Sequence, residues 1–112
     1  MIIAPSVLTA DLADLGNACK EAVSAGLNWL HLDEMDGNFV PNLTFGPPVI
    51  AKLRKALGDE PTFDAHLMIS NAEDCFQQYI DAGCNHISVH AEAVTHLHRC
   101  LTAISQAGAT AG

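Results

Sequence analysis

Residues 31–42 read HLDEMDGNFVPN and begin at the end of an apolar, strand-like run. Positions i and i+2 of a strand point to the same side, so His31 and Asp33 project together from the strand end. A second strand-like run, TFDAHLM at 62–68, carries His66 near its own end. Two imidazoles and a carboxylate at neighbouring strand ends suit a shared divalent metal ion. The pattern therefore predicts a metal site formed by His31, Asp33 and His66.

Strand-like and helix-like segments alternate on both sides of this stretch. Apolar and β-branched runs predict four strands and the opening of a fifth, at Ile2–Leu8, Leu27–Asp33, Thr62–Met68, Asn85–His90 and 109–112. Apolar stripes at helical spacing predict a helix over 10–25 with Thr9 as its N-cap, and further helices beginning near Pro47, Asn71 and Leu97. Glycines at 26, 58, 83 and 108 end these helices.

This alternation is typical of a parallel sheet covered by helices. Such a sheet either stays open and doubly wound or closes into a barrel. No G-x-G-x-x-G follows the first predicted strand, which weakens the dinucleotide-binding version. Polar groups at the carboxyl ends of successive strands favour a TIM (β/α)₈ barrel, which needs about 250 residues. We therefore predict that residues 1–112 form one partial barrel domain of four βα units and the start of a fifth strand.

Composition excludes several classes of partner. The net charge is −8 and the chain has only five Lys and Arg residues, so a nucleic-acid or anionic-membrane surface is not expected. A phosphorylated small molecule remains open, because backbone N–H groups at a helix start can hold phosphate. No apolar stretch is long enough to span a bilayer, and Met1 directly precedes the first predicted strand. The four cysteines lack C-x-x-C spacing, so we expect reduced thiols in a cytoplasmic protein without a signal peptide.

Four stretches carry a resemblance to a known family. They are IAPSVLTAD (3–11), HLDEMDGNFVPNLTFGPP (31–48), DAHLM (64–68) and, more weakly, ISVHAEA (87–93). In these residues, and in their order and spacing, the chain resembles the N-terminal half of the ribulose-phosphate 3-epimerases. Those isomerases act in carbohydrate metabolism, in the pentose phosphate pathway and the Calvin cycle.

The resemblance implies a fold, a reaction and a set of site residues. It implies the N-terminal half of a (β/α)₈ barrel that interconverts D-ribulose 5-phosphate and D-xylulose 5-phosphate through an enediolate at C3. One divalent metal, usually zinc but with Fe²⁺ or Mn²⁺ as alternatives, would be bound by His31, Asp33 and His66, with Asp33 also acting as an acid–base group. Ser6, Met35 and Met68 would contact the substrate beside His66. The fourth ligand, a second catalytic aspartate, and the phosphate site would lie beyond Gly112.

Several alternatives stay open at the level of sequence. A ketohexose-6-phosphate 3-epimerase of the same superfamily and a non-catalytic metal-binding half-barrel fit the same residues. Asp64 is interpreted either as a partner that orients an imidazole or as a polar residue in the barrel floor. For His90 the interpretation favours structural packing, and for Asp36 with Gly37 it favours turn chemistry. Glu34 stands where the resembled family usually has an aliphatic residue, and its side chain is expected to face the helix layer.

A half-barrel is also expected to associate with itself. It would leave open strand edges and an uncovered apolar interior, so we predict a homo-oligomer in which these edges meet. With one acid–base group and the phosphate site absent, we expect little or no epimerase activity from these 112 residues alone.

Overall fold

The computed structural model describes residues 1–112 as a parallel sheet with helices between its strands. The four strands lie side by side in chain order and are β1 (Trp29–Met35), β2 (Thr62–Met68), β3 (His86–Val89) and β4 (Thr110–Ala111). The four α-helices are α1 (Leu15–Ser24), α2 (Pro47–Leu57), α3 (Ala72–Asp81) and α4 (Leu97–Gln106). Apart from its first strand, the predicted alternation is therefore confirmed, and the predicted fifth strand is β4.

The helices pack on one face of this sheet. Alternate residues of β1 and β2 are buried, and the remaining ones are only half-buried. The buried face joins helix side chains in one apolar core, which includes Leu30, Leu32, Phe63, Leu67, Ile87, Leu15, Ile50, Tyr79 and Ile104. A doubly wound sheet is covered on both faces, whereas barrel strands follow one another in order with helices outside. The arrangement is that of a barrel.

Helix α2 shows why the local predictions succeeded there. Pro47 and Pro48 occupy its first turn, where a missing N–H costs nothing. Ile50 and Leu53 are buried on one side, and Gly58 ends the helix with a φ of 74°, a conformation that favours glycine. All four α-helices have 10 or 11 residues, and none is long and apolar enough to cross a membrane.

The predicted first strand, Ile2–Leu8, is wrong. Only Ser6 forms a bridge, to His31, and the single backbone bond runs from the His31 N–H to the Pro5 carbonyl. Pro5 has no N–H to donate, which interrupts a ladder at this point. Residues Val7–Thr9 turn into a 3₁₀ helix instead.

The start of the first helix was also predicted too early. Thr9 is not an N-cap, because Asp11 caps a second 3₁₀ turn by accepting a bond from the Ala13 N–H, and α1 begins only at Leu15.

The inner face of the sheet is not the apolar surface expected of a half-barrel. Its side chains are half-buried and mostly polar or ionisable. Apart from Trp29 and two methionines, they are His31, Asp33, Thr62, Asp64, His66, His86 and Ser88. This correction matters for function, because a mostly polar concave face suits a ligand site better than a packed interface.

Arg54 links several chain segments at the amino-terminal end of the sheet. Its guanidinium lies 3.7 Å from the centre of the Phe63 ring. All five donors are used, in bonds to the carbonyls of Gly58, Pro61 and Gly83 and to Asn85 Oδ1. The forked geometry of Arg is needed to reach partners in several directions at once. This one side chain therefore links several segments at the amino-terminal end of the sheet, while the other end carries the site.

Candidate metal centre at the strand ends

The strand register aligns the predicted site residues in pairs. Asp33 lies opposite His66, and Met35 lies opposite Met68, one step further toward the carboxyl ends of β1 and β2. Because side chains two apart share a face, all four belong to the inner face. Ser6 joins them through its bridge to β1 at His31. The predicted residues are thus brought to one rim of the sheet.

The carboxylate of Asp33 contacts three other side chains at this rim. Its Oδ1 lies 3.2 Å from His31 Nε2 and 3.0 Å from His66 Nδ1. Its Oδ2 accepts a hydrogen bond of 2.5 Å from the Ser6 hydroxyl. One ligand atom from each of His31, Asp33 and His66 lies within 4.8 Å of the others. Three groups of the kind that bind divalent ions therefore converge on one point.

The environment of Asp33 favours its ionised form. Burial acts to raise the pKa of this carboxyl, but the hydrogen bonds from Ser6 and His66 and the charges of His31 and His66 together outweigh it. The pKa of Asp33 is therefore held below its ordinary value. At neutral pH the group is a carboxylate, the form that can bind a metal ion or accept a proton.

His31 is held by a second carboxylate. Its Nδ1 lies 2.8 Å from Asp64 Oδ2, and because a carboxylate can only accept, the Nδ1–H donates to Asp64. This leaves Nε2, which faces Asp33, as the nitrogen that would bind a cation. Carboxylate–histidine pairs of this kind fix the ring orientation of metal ligands. Of the two interpretations of Asp64, the structure supports the one in which it orients an imidazole.

The donor set fits a transition-type divalent ion. Imidazole and carboxylate together suit zinc, manganese or ferrous iron, whereas calcium and magnesium prefer oxygen alone. His31, Asp33 and His66 would hold the ion, and positions left open by the protein would face the concave side of the sheet. The contact between His31 Nδ1 and Asp64, which leaves Nε2 for an ion, is the observation that supports this fit most directly.

The loop after β1 is tied to the loop after β2 by Asp36. Its carboxylate accepts bonds from the backbone N–H groups of Asn38 and Phe39 and from both the N–H and hydroxyl of Ser70. The backbone N–H bonds from Ser70 and Asn38 hold the pKa of Asp36 well below its usual range. The predicted turn role is confirmed, and the link to Ser70 adds that Asp36 fixes the rim around the site.

Comparison with known proteins shows the family of this chain. The family model described as "Ribulose-phosphate 3 epimerase family" matches residues 2–112. The chain belongs to this family. It is 46% identical over 110 residues to the "Ribulose-phosphate 3-epimerase" of Rhodobacter capsulatus, an alignment that covers 98% of this chain and 47% of the relative.

Other relatives give the same picture. The Bacillus subtilis (strain 168) "Ribulose-phosphate 3-epimerase" is 44% identical over 110 residues, covering 98% of this chain and 50% of the relative. The Arabidopsis thaliana "Ribulose-5-phosphate-3-epimerase, chloroplastic" is 45% identical over 114 residues, covering 100% of this chain and 40% of the relative. The chain thus spans about half the length of the curated relatives it matches. Its four parallel strands and their helices are the N-terminal half of a TIM barrel.

One more residue of this epimerase-family chain reaches the site. His90 follows β3 directly, and its Nε2 lies 2.8 Å from His66 Nε2. The side chain for which the sequence favoured structural packing therefore directly contacts a predicted site residue. The alternation of His86, Ser88 and His90 in the sequence gives only its position, at the same carboxyl end as the other site residues.

Proposed function

We propose that this chain provides the metal-binding and proton-transfer half of a ribulose-phosphate 3-epimerase, which interconverts D-ribulose 5-phosphate and D-xylulose 5-phosphate. The observation that carries the proposal is the Asp33 carboxylate, which lies between two imidazoles at the carboxyl rim of a barrel sheet. Family membership supplies the reaction, and the geometry supplies a base and its surroundings.

The chemistry requires a base beside C3 of the sugar. That carbon is next to the C2 ketone, so loss of its proton gives an enediolate. Asp33 is ionised at neutral pH, but a carboxylate with a lowered pKa is a weak base. A divalent ion held by His31, Asp33 and His66, which we propose to be zinc with Fe²⁺ or Mn²⁺ as alternatives, would polarise the ketone and neutralise the developing charge. Asp33 then needs only to accept the proton on one face.

Three further side chains would shape the substrate pocket. Ser6 is exposed and already donates to Asp33 Oδ2, so its hydroxyl stands where a sugar oxygen would approach the base. Met35 and Met68 are neighbours across β1 and β2, one step beyond the Asp33–His66 pair. Their apolar, polarisable side chains would limit water around the reacting carbon. His66, which contacts the other oxygen of the Asp33 carboxylate, would also contact the sugar oxygens.

Inversion needs a second acid–base group on the other face of the planar enediolate. We propose that residues 1–112 form one partial barrel domain, and that this group, the fourth ligand and the phosphate site come from a complementing half. The edges of the sheet are the short strand β4 and the segment around Pro5, which is held by a single backbone bond. These edges support self-association, which light scattering would detect as a species larger than the monomer. A cytoplasmic location stays a prediction.

The test follows exchange of the C3 proton rather than complete turnover. The chain, loaded with zinc, is incubated in D₂O with D-ribulose 5-phosphate or a ketohexose 6-phosphate, alone and with a complementing C-terminal half. Proton NMR records deuterium at C3 and the appearance of the epimer. We expect epimerisation of the pentose phosphate only with the complementing half, and loss of exchange by roughly 10²-fold or more in Asp33→Asn.

Asp81→Asn is the matched control, because it makes the same change at an exposed helix position. It should leave exchange unchanged. A complemented chain that exchanges no C3 proton of either sugar, or an Asp33→Asn variant as active as wild type, would overturn the proposed reaction. Preference for the hexose phosphate would favour the alternative epimerase.

A further inference from the structure

His66 uses both ring nitrogens. Nδ1 lies 3.0 Å from Asp33 Oδ1, on the side of the proposed metal, and Nε2 lies 2.8 Å from Nε2 of His90. The two rings are nearly parallel, with centroids 5.0 Å apart and an angle of 28° between their planes. A nitrogen–nitrogen distance of 2.8 Å is a hydrogen bond, so one ring donates to the other. His90 therefore influences which nitrogen of His66 carries its proton.

The direction of this bond follows from what each nitrogen can do. A neutral imidazole has one N–H and one lone pair. Without a cation, the Asp33 carboxylate can only accept, so the Nδ1–H of His66 donates to it. When Nδ1 instead gives its lone pair to a cation, the proton must sit on Nε2, which then donates to His90. His90 accepts at Nε2 and keeps its own proton on Nδ1, which lies 3.8 Å from Glu92 Oε2. Glu92 is 78% exposed, so its contribution to this arrangement is small.

The His90 ring is itself held in place. Phe39 lies against it, with ring centroids 5.0 Å apart. Phe39 belongs to the loop that Asp36 fixes, and its backbone N–H donates to that carboxylate. The acceptor for His66 is therefore positioned by the loop after β1, although it follows β3 in the chain.

We propose that His90 is a positioning residue that fixes the ring and the tautomer of His66 for metal binding. The inference rests on the proposed metal site and extends it. Asp64 holds His31 in the same way, so each of the two imidazoles has its own partner, a carboxylate for His31 and an imidazole for His66. Residues that hold metal-bound imidazoles typically change metal affinity by about 10–100-fold when removed.

The test measures cobalt(II) affinity of the 112-residue chain by its visible absorption, with urea unfolding of the metal-free chain as the second readout. His90→Leu removes the acceptor, and we expect cobalt binding to weaken by about 10–100-fold. His90→Gln places an amide oxygen near the position of Nε2 and should restore binding close to wild type. His90→Asn is too short to reach His66 and should bind as weakly as His90→Leu.

His86→Leu and His86→Gln are the matched controls. His86 lies on β3, the strand that His90 follows, and its ring packs on Trp29, with ring centroids 4.5 Å apart. Both should bind cobalt as wild type does. If His90→Leu does not fold, His90→Asn takes its place in the comparison.

Equal cobalt affinity in wild type and the Leu or Asn variant overturns the role of His90 alone. Failure of Gln to restore binding, with unchanged urea midpoints, also overturns it. A wild-type chain that takes up no cobalt overturns the metal site and this inference together.

Discussion

Glu34 should make the stability of the metal-free chain fall as pH rises through neutrality. It is the one acidic or basic residue that is fully buried, with 0% of its surface exposed. Neither oxygen of its carboxyl group has a hydrogen-bond partner. It lies on the helix-facing side of β1, as the sequence predicted. Burial, and then the negative charge of Asp33, raise the pKa of Glu34 from 4.5 to about 8. The folded protein therefore holds this group protonated at neutral pH.

The sign and size of the effect follow from proton linkage. Between the two pKa values the folded state binds one proton more than the unfolded state, so the free energy of unfolding falls with rising pH. Each pH unit in that window costs about 1.4 kcal/mol, which gives a loss of about 3 kcal/mol between pH 4.5 and pH 7. This is a large fraction of the ~5–15 kcal/mol that stabilises a domain.

Two variants separate the effect of Glu34 titration on stability from the cost of burying an unpaired polar group. Glu34→Gln keeps the shape but cannot titrate, so it should remove the pH dependence and retain a cost of about 1–3 kcal/mol for an unsatisfied amide. Glu34→Met removes both and should raise the free energy of unfolding at pH 7 by roughly 3–5 kcal/mol. Urea unfolding followed by circular dichroism at several pH values between about 5 and 8 measures each.

The comparison with Glu34→Gln cancels every other titrating group, including the site histidines. If the wild type and Glu34→Gln show parallel stability profiles across this range, Glu34 is ionised or solvated in the folded chain and the reasoning fails. A Glu34→Met variant less stable than wild type would refute it as well.

Three other changes test separate parts of the structure. Arg54→Lys keeps the charge but loses the forked donors, so urea unfolding should show a loss of about 2–3 kcal/mol; an unchanged midpoint would contradict its role at the amino-terminal end. Asp64→Asn should weaken cobalt affinity about 10-fold through His31, and unaltered affinity would remove Asp64 from the site. Asp36→Asn should lower the unfolding midpoint by loosening Ser70. Because the folded pKa of Asp36 is lowered, wild type should lose this advantage as pH falls below the ordinary value of 3.8. A difference that persists in strong acid would count against the charged interaction.

The sequence predicted those elements whose local signals agree with their tertiary setting. Strand Thr62–Met68 has the predicted bounds, and α2 starts at its two prolines and ends before Gly58. The segment Ile2–Leu8 has an apolar, β-branched start but makes only one backbone bond to β1. The prediction failed there because strand pairing depends on neighbouring strands, which a local sequence pattern does not reveal. Its exposed Ile2 and Ile3 show that composition alone does not place a strand in a core.

The same distinction applies to the site. Residues two apart on one strand, such as His31 and Asp33, were predictable because the geometry of a strand is fixed. The contacts between strands were not, since they depend on register: Asp64 reaches His31 and His90 reaches His66 only once β1, β2 and β3 are aligned. The role of His90 in particular required ring orientations that no sequence pattern contains.

The central claim is that His31, Asp33 and His66 bind one divalent ion. X-ray absorption at the zinc edge, on the chain loaded with one equivalent of zinc, tests it most directly. We predict two imidazole nitrogens and carboxylate oxygen at about 2.0–2.2 Å from the zinc, with one imidazole lost in His31→Ala. Sulfur at about 2.3 Å from the cysteines, or an imidazole count that His31→Ala leaves unchanged, would contradict it.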